Sequence, residues 1–448
     1  MKKVITYGSF DLFHEGHYQL LKRAKALGNY LIVGVTTEHF DEQRGKLNLV
    51  DPILTRIEHV RETGLADEII VEDHEGQKIE DIQRFGIDIF TVGTDWTGKF
   101  DYLKQFCEVV YLPRTPGVSS TALREGRHPI LRLGIVGTGR IARRIMPELN
   151  FVSGIEAVAA YNSEEENLRK FAGEYSITAE SKDFAVFLDG VDAVYIASPS
   201  ETHEEYVRAA VVAGRHVLCE RPLAFRKEST KEIFDIAKAN NVIVLEAIKT
   251  AYCPGFGQLV NVAQSGIIGR IVDVEANITQ LVSTRVRERT DAAYGGGFLE
   301  YGSNVMLPII KLLGNDYQNI RFQSIWDEQG VDLYNRMAVT YEGAFASAKT
   351  GVGVKTEGQL VVSGTTGYII APSPWWLTKH FEVRFEDENR IKNYDPPYMG
   401  DGLRYEIADF VMKIEGRSRN SFKLTAEESI AMAGMTERYM EYKERRTC

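Results

Sequence analysis

One short stretch constrains this chain more than any other. Val4-Ile5-Thr6-Tyr7 is an apolar run of strand length. It leads through Gly8-Ser9-Phe10-Asp11-Leu12-Phe13-His14-Glu15-Gly16-His17 into Leu20, Leu21, Ala24 and Leu27, apolar residues at helical spacing. A strand that turns straight into a helix gathers unpaired N–H groups and the positive helix end at one point, and that point attracts phosphate. His14 and His17 are three residues apart and share a face of the first helical turn. Two imidazoles there can donate to a phosphate whose charge grows during displacement. Gly8 and Gly16 let a bulky anion approach the backbone. The zinc-protease pattern His-Glu-x-x-His does not apply, because the second histidine comes one residue early.

The chain has 448 residues, too many for one ordinary core. No apolar run reaches membrane-spanning length. Cys107, Cys219, Cys253 and Cys448 lack metal-type spacing and are expected to be reduced thiols in a cytoplasmic protein. Net charge is −10 with no basic block, which excludes nucleic acid as the expected partner.

The first 126 residues alternate strands with helices. Strands are expected at 30–35, 68–71, 89–93 and 109–112, with helices at 55–63 and 77–85. This order predicts a parallel α/β sheet with ligands at the strand carboxyl ends. A second phosphate-type segment follows the last of these strands. In it Arg114 supplies a planar cation, Gly117 backbone freedom, and Ser119, Ser120 and Thr121 hydroxyls at a helix start.

The stretch from Gly8 to His17 resembles the GxFDxxHxGH motif of the cytidylyltransferase family of nucleotidyltransferases. Arg114–Thr121 resembles the RTxGxSTT motif of its glycerol-3-phosphate branch, with Ser120 departing mildly. Asp95-Trp96, Gly98–Asp101 and Cys107–Thr115 continue the likeness, which covers residues 1–125. The resemblance implies that Ser9, Phe10, His14, His17, Arg114, Thr115, Gly117, Ser119, Ser120 and Thr121 meet CTP. It implies that Lys46 touches the phosphates and that Lys78, with Arg44, holds the phosphate of glycerol 3-phosphate or a related polyol phosphate. The implied reaction is in-line attack on the α-phosphorus of CTP, with Mg²⁺ accompanying the triphosphate. An ATP-using relative of the same fold is the rival reading.

Gly126–Pro129 interrupts the alternation, and residues 127–130 are expected to be a linker. A second strand–glycine–helix unit follows. Leu131–Val136 is a buried strand pattern, and Gly137-Thr138-Gly139-Arg140-Ile141-Ala142 carries Gly-x-Gly-x-x-Ala before a helix. The first glycine allows the turn, the second admits a pyrophosphate, and the small sixth residue lets helix and strand pack. Asn162 stands after the second strand where an acidic residue usually binds the ribose of NAD, so NAD and NADP both remain open. Ser198, with His203 nearby, follows a third strand. Glu220-Arg221-Pro222 follows a fourth.

These marks resemble the Gfo/Idh/MocA oxidoreductase family over residues 131–440. Glu220-Arg221-Pro222 stands for its Glu-Lys-Pro, and Asn304 stands where it carries a catalytic His or Tyr. Arg221 and Asn304 are poor proton donors. Lys249 and Tyr252, after the strand pattern 242–245, are therefore expected to face the nicotinamide and supply the proton. Between 270 and 385 the pattern switches to alternating strands, at 271–282, 320–326, 338–341, 344–350 and 358–363, which predicts an open, largely antiparallel sheet and an oligomer face.

The expected organisation is a Rossmann-like nucleotidyltransferase domain (1–126), the linker, a dinucleotide-binding Rossmann domain (131–250) and an α+β domain (251–448) serving substrate binding and homo-oligomerisation. The expected function is bifunctional: a cytidylyltransferase joined to an NAD(P)-dependent oxidoreductase module. The rival for the second part is a redox-inactive cofactor-binding or oligomerisation module.

Overall fold

The computed structural model describes residues 2–113, 130–416 and 423–447. The chain divides into two compact units, Met1–Asp192 and Ala193–Cys448.

The first unit opens with five parallel strands: β1 (Lys3–Gly8), β2 (Tyr30–Thr36), β3 (Glu68–Glu72), β4 (Ile89–Gly93) and β5 (Glu108–Leu112). Their order is β3-β2-β1-β4-β5, so the chain reverses direction between β1 and β4. That switch point is where an open α/β sheet leaves its ligand crevice. Alternation along β1 feeds two cores. Val4 packs with Leu31, Val33 and the helix residues Leu21 and Ala24; Ile5 and Tyr7 pack with Ile32, Phe90 and Val92 on the other face. A parallel sheet covered on both faces needs apolar residues of both parities, which is why these strands read as continuous apolar runs.

The unit continues with β6 (Leu131–Val136), β7 (Ile155–Tyr161) and β8 (Ala179–Ser181), parallel in that order. The helix Arg140–Leu149 connects β6 to β7 and buries Ala142, Ile145 and Met146. Gly134 passes so close to Phe187 that a Cβ would lie 2.4 Å from its ring.

The second unit begins with parallel β9 (Ala193–Ile196), β10 (His216–Glu220) and β11 (Val244–Ala247), with β10 in the middle. An eight-stranded sheet follows. Its strands are β12 (Ile271–Thr279), β13 (Asn319–Trp326), β14 (Asp332–Tyr341), β15 (Ala344–Gly351), β16 (Leu360–Gly364), β17 (Gly367–Ala371), β18 (Phe381–Phe385) and β19 (Ile391–Tyr394). The order is β13-β14-β15-β12-β16-β17-β18-β19, antiparallel throughout except for β12 against β15. The expected largely antiparallel sheet is present and extends three strands further than the sequence pattern indicated. The apolar helix Gly297–Leu313 packs against β12 and β15. Trp375 is buried and donates its indole N–H to the carbonyl of Asn277 at 2.9 Å.

Among the described residues, no helix is long and apolar enough to cross a membrane.

Candidate active sites

The turn after β1 holds its two histidines by backbone hydrogen bonds. His14 is the N-cap of the helix Glu15–Ala26, and its Nδ1 accepts the Gly16 N–H at 3.0 Å. His17 Nδ1 accepts the His14 N–H at 3.4 Å, closing a reciprocal capping box. With both Nδ1 atoms accepting, the ring protons belong on both Nε2 atoms, so each ring keeps an Nε2 donor. The rings stack with centroids 3.9 Å apart. Gly16 is required here, since a Cβ would lie 2.7 Å from the His14 ring.

Phe10 and Leu12 adopt left-handed backbone (φ 50° and 47°), unfavourable for L-residues and therefore concentrated at functional turns. Phe10 was expected to meet CTP. Its ring is instead buried in the core, edge-on to His17 at 5.6 Å, and supports the imidazole from behind. Ser9 contributes its carbonyl to a clamp, described below.

Lys46 joins His14, His17, Asp11 and Asp95 in the walls of one cleft. Burial pushes the Lys46 ammonium down, with Asp41 and Asp11 opposing and Arg44 and Arg56 adding to the depression. Burial also holds His17 well below the ordinary histidine value, helped by the neighbouring His14 and Lys46 charges. A crowd of cations and donors in a half-buried cleft is a field that an anion relieves.

Two groups that the sequence reading missed hold this cleft in shape. The Asp11 carboxylate accepts the Asp51 N–H at 2.8 Å and the Val50 N–H at 3.1 Å, tying the loop that follows Lys46 to the histidine turn. Arg56 is fully buried on the helix Ile53–Glu62 and donates to the carbonyls of Ser9 and Thr36 at 2.8 Å and of Asp51 at 2.9 Å. Its signal was visible. Ile53, Arg56, Ile57 and Val60 lie on one helical face, and a cation on an apolar face needs buried partners.

Arg44 and Lys78 lie outside the lining of that cleft, and Arg44 acts as a neighbouring charge on both Lys46 and Lys78. Arg44 pairs with Asp41 at 2.8 Å and lies over the Phe40 ring. Lys78 is buried, paired with Glu72 and seated 4.6 Å from the Tyr7 ring centroid. Neither lines the cleft that holds His14. Arg114, Thr115, Gly117, Ser119, Ser120 and Thr121 lie outside the described residues, as does the expected linker up to Pro129.

In the turn after β6, Gly137 has φ 89° and Gly139 caps the helix Arg140–Leu149 without any side-chain hydrogen bond. A Cβ added to Gly139 would meet no protein atom within 4 Å, so the space over this helix start is open to a ligand. Asn162 donates to Thr138 Oγ1 at 2.6 Å and accepts the Glu164 N–H at 2.8 Å, holding Thr138 at the end of β7. Arg140 is exposed on the first helical turn, and Ile141 is half-buried behind it. The residues fit a dinucleotide: bare glycine backbone, a helix N-terminus and an amide, Asn162, at the end of β7 in place of a carboxylate.

In the second unit, buried His203 ties two expected site segments together. Its Nδ1 faces the Pro222 carbonyl at 2.8 Å and its Nε2 the Ser198 carbonyl at 2.9 Å. Glu220 accepts the Tyr195 hydroxyl at 2.6 Å, and Arg221 donates to the Glu300 carbonyl at 2.9 Å through a loop with a cis Arg221–Pro222 bond. Glu246, also missed, accepts the Leu223 N–H at 3.2 Å, and burial pushes its carboxyl up to about 7.

The proton-donor expectation is corrected in part. Tyr252 is buried and donates its hydroxyl to the Glu246 carbonyl at 2.9 Å, so it is a core residue. The short helix Lys249–Tyr252 starts right after β11 and turns this side chain inward. Lys249 stays partly exposed and donates to the Asp401 carbonyl at 2.8 Å. Asn304 donates to Thr250 Oγ1 at 3.3 Å, so it sits beside the residue following Lys249. The structure thus sets Asn304 against Thr250, directs the Lys249 ammonium to Asp401 and turns Tyr252 into the core.

Residues 5–126 match the family model described as cytidylyltransferase-like. The glycerol-3-phosphate cytidylyltransferase of Bacillus spizizenii is 52% identical over 126 residues, which is 28% of this chain and 96% of that enzyme. This chain belongs to the cytidylyltransferase family. Beyond that family segment, residues 131–248 match the model described as oxidoreductase family, NAD-binding Rossmann fold. The scyllo-inositol 2-dehydrogenase (NADP(+)) IolU of Bacillus subtilis is 26% identical over 318 residues, covering 69% of this chain and 95% of that protein. Among solved structures, the 3-ketoreductase KijD10 of Actinomadura kijaniata, in complex with NADP and TDP-benzene, aligns with TM-score 0.60 at 21% identity. It covers 68% of this chain and 96% of its own. That likeness shows the fold. The chain is a cytidylyltransferase joined to an oxidoreductase-family module that carries an NAD(P)-type Rossmann fold.

Proposed function

We propose that the first module transfers a cytidylyl group from CTP to glycerol 3-phosphate or a related polyol phosphate. A phosphate oxygen of the polyol attacks the α-phosphorus in line. The bond from that phosphorus to the bridging oxygen breaks, and pyrophosphate leaves. The observation that carries this reading is that His14 and His17, each holding an Nε2 proton through its capping bond, line one cleft with Lys46. Donors fixed before the reaction stabilise charge as it develops without reorganising. Among the described residues no group of three His, Cys, Asp or Glu side chains is placed to hold a metal. This suits Mg²⁺ arriving with the triphosphate as part of the substrate, since that ion takes few protein ligands. Arg114 and Thr115–Thr121 are assigned to the nucleotide on the resemblance alone, and so are Lys78 and Arg44 to the polyol phosphate.

For the second module the proposal is NAD(P)-dependent hydride transfer at a hydroxyl-bearing carbon of a polyhydroxylated compound. The cofactor, when bound, supplies or accepts the hydride. Gly137–Arg140 and Asn162 bind its dinucleotide end, and Lys249 moves the proton with Asn304 orienting the substrate. Asn162 places no carboxylate against a 2′-phosphate, which favours NADP. The working domains are taken as 1–126, 131–250 and 251–448, in a homo-oligomer placed in the cytoplasm, where CTP and reduced cofactor are at hand.

The test is a pyrophosphate-release screen of CTP and ATP against several polyol phosphates. Turnover with CTP and glycerol 3-phosphate or a close analogue is the expected result. Release with ATP alone overturns the nucleotide assignment.

A further inference from the structure

We propose that the turn Phe151–Ser153, which lies beyond the transferase pattern, is a working part of the transferase site and positions the loop that carries Lys46. The inference rests on the transferase reading above.

The loop is gripped at consecutive residues. Leu47 donates its N–H to the Phe151 carbonyl at 2.7 Å and forms a parallel bridge with Val152. Asn48 then copies a strand partner with its side chain. Its Nδ2 donates to the Ser153 carbonyl at 3.0 Å, and its Oδ1 accepts the Ser153 N–H at 3.1 Å. Asn48 has φ 53°, so the backbone leaves the bridge there and the amide continues it. Beside this grip the Phe151 ring meets Trp96 edge-on at 5.8 Å, next to the cleft residue Asp95. Val152 and Ser153 are buried and line the same cleft as His14, His17 and Lys46.

Only one residue separates Lys46 from Asn48. From the other side, the Lys46 N–H is tied to the Asp41 carbonyl at 2.8 Å, and Asp11 holds Val50 and Asp51. Among the described residues, the Phe151–Ser153 turn supplies the hydrogen bonds that fix Leu47 and Asn48 between those ties. A long flexible ammonium must be placed within about 1 Å to act on a developing charge. The cytidylyltransferase-like family model ends at residue 126, so this turn lies outside the segment that it matches. In this chain a residue outside the family segment completes the site.

The test uses the full chain and the substitution Asn48→Gly. Glycine accepts the positive φ, so only the side-chain grip is lost. Three readouts decide. In the unsubstituted chain the amides of Leu47 and Ser153 exchange slowly with solvent hydrogen; Asn48→Gly speeds both by tenfold or more and leaves Ile135 unchanged. The kcat for cytidylyl transfer falls about tenfold, while KM for the polyol phosphate stays within twofold. In a Lys46→Ala background the same substitution costs less than twofold, because Asn48 acts through Lys46. Phe151→Ala, which removes the ring but keeps the backbone bonds, gives a smaller loss in the same direction. Fast exchange at Leu47 and Ser153 in the parent, an unchanged kcat, or a full tenfold loss in the Lys46→Ala background each overturns the proposal. If the parent transfers no cytidylyl group, the transferase reading fails by itself, and the exchange rates still decide whether the grip exists.

Discussion

Two turns in this molecule have the same local plan, a buried strand running through glycines into a helix, yet they are built for different work. After β1, side chains occupy the helix start. His14 and His17 cap it with their Nδ1 atoms, which leaves the ring protons on Nε2. After β6, the helix start carries no side-chain cap, and Gly139 leaves open space above it. The first turn offers proton-bearing groups that respond to developing charge. The second offers backbone N–H groups, a helix dipole and the exposed Arg140, an arrangement suited to a phosphate that does not react. A glycine loop at a strand end therefore indicates an anion, and the residues standing among the glycines indicate whether chemistry happens there.

The strongest way to break this contrast is to remove the imidazoles. His14→Ala and His17→Ala should each lower kcat for cytidylyl transfer by on the order of 10²-fold or more. His14→Ala also removes a helix cap, at a cost of about 1 kcal/mol. Steady-state rates with parallel denaturation curves separate the two effects, and near-normal turnover in both variants would sink the assignment.

The matching change in the second turn should act on affinity alone. Gly137 lies at φ 89°, and a β-branched residue there is strained. Gly137→Val should weaken NADP(H) and NAD(H) binding by on the order of tenfold or more, with cytidylyl transfer unchanged. Calorimetry with each cofactor checks it. Unaltered affinity would place the dinucleotide elsewhere.

The two turns were legible in the sequence because their information is local. Strand, glycines and helix lie within fifteen residues, and the residue types dictate the geometry. What failed depended on direction or distance. Tyr252 was expected to face the cofactor because it follows a strand, but the short helix Lys249–Tyr252 rotates it into the core. Phe10 sits inside a phosphate-type motif, yet its ring supports His17 from the core side. Arg56 was missed although its helix face was readable, because its partners Ser9, Thr36 and Asp51 are brought to it only by the fold. Strands β17–β19 have pairing partners that no short-range period reveals.

A third substitution tests the corrected tyrosine. Tyr252→Phe leaves the Glu246 carbonyl without its hydroxyl donor and should cost about 1 kcal/mol of stability. It should leave any NAD(P)-linked turnover within twofold, whereas Lys249→Met should abolish most of it. Equal losses in both variants would return Tyr252 to the reacting groups.

The smallest expected effect concerns pH, and it sharpens the comparison because burial acts on opposite charges in the two modules. His17 is held well below the ordinary histidine value, first by burial and then by the neighbouring His14 and Lys46. Its neutral form is the folded form. The stability it contributes is present above about pH 6.5, the unfolded histidine value, and is lost as pH falls from there toward the depressed folded value. Glu246 is pushed up to about 7 by burial. Its contribution is present below about pH 4.3, the unfolded carboxyl value, and is lost as pH rises through about 7. Acid should therefore loosen the helix that follows His17 while leaving β10 and β11 protected, and mild alkali should do the reverse. A two-part chain need not unfold in one step, so a single melting temperature hides this. Hydrogen exchange at Leu21 and at Leu218, followed between pH 5.5 and 8.5 and corrected for the intrinsic rate, resolves the two. His17→Gln should flatten the first trend and Glu246→Gln the second. Parallel trends at both positions would mean that these two buried groups do not set the local stabilities.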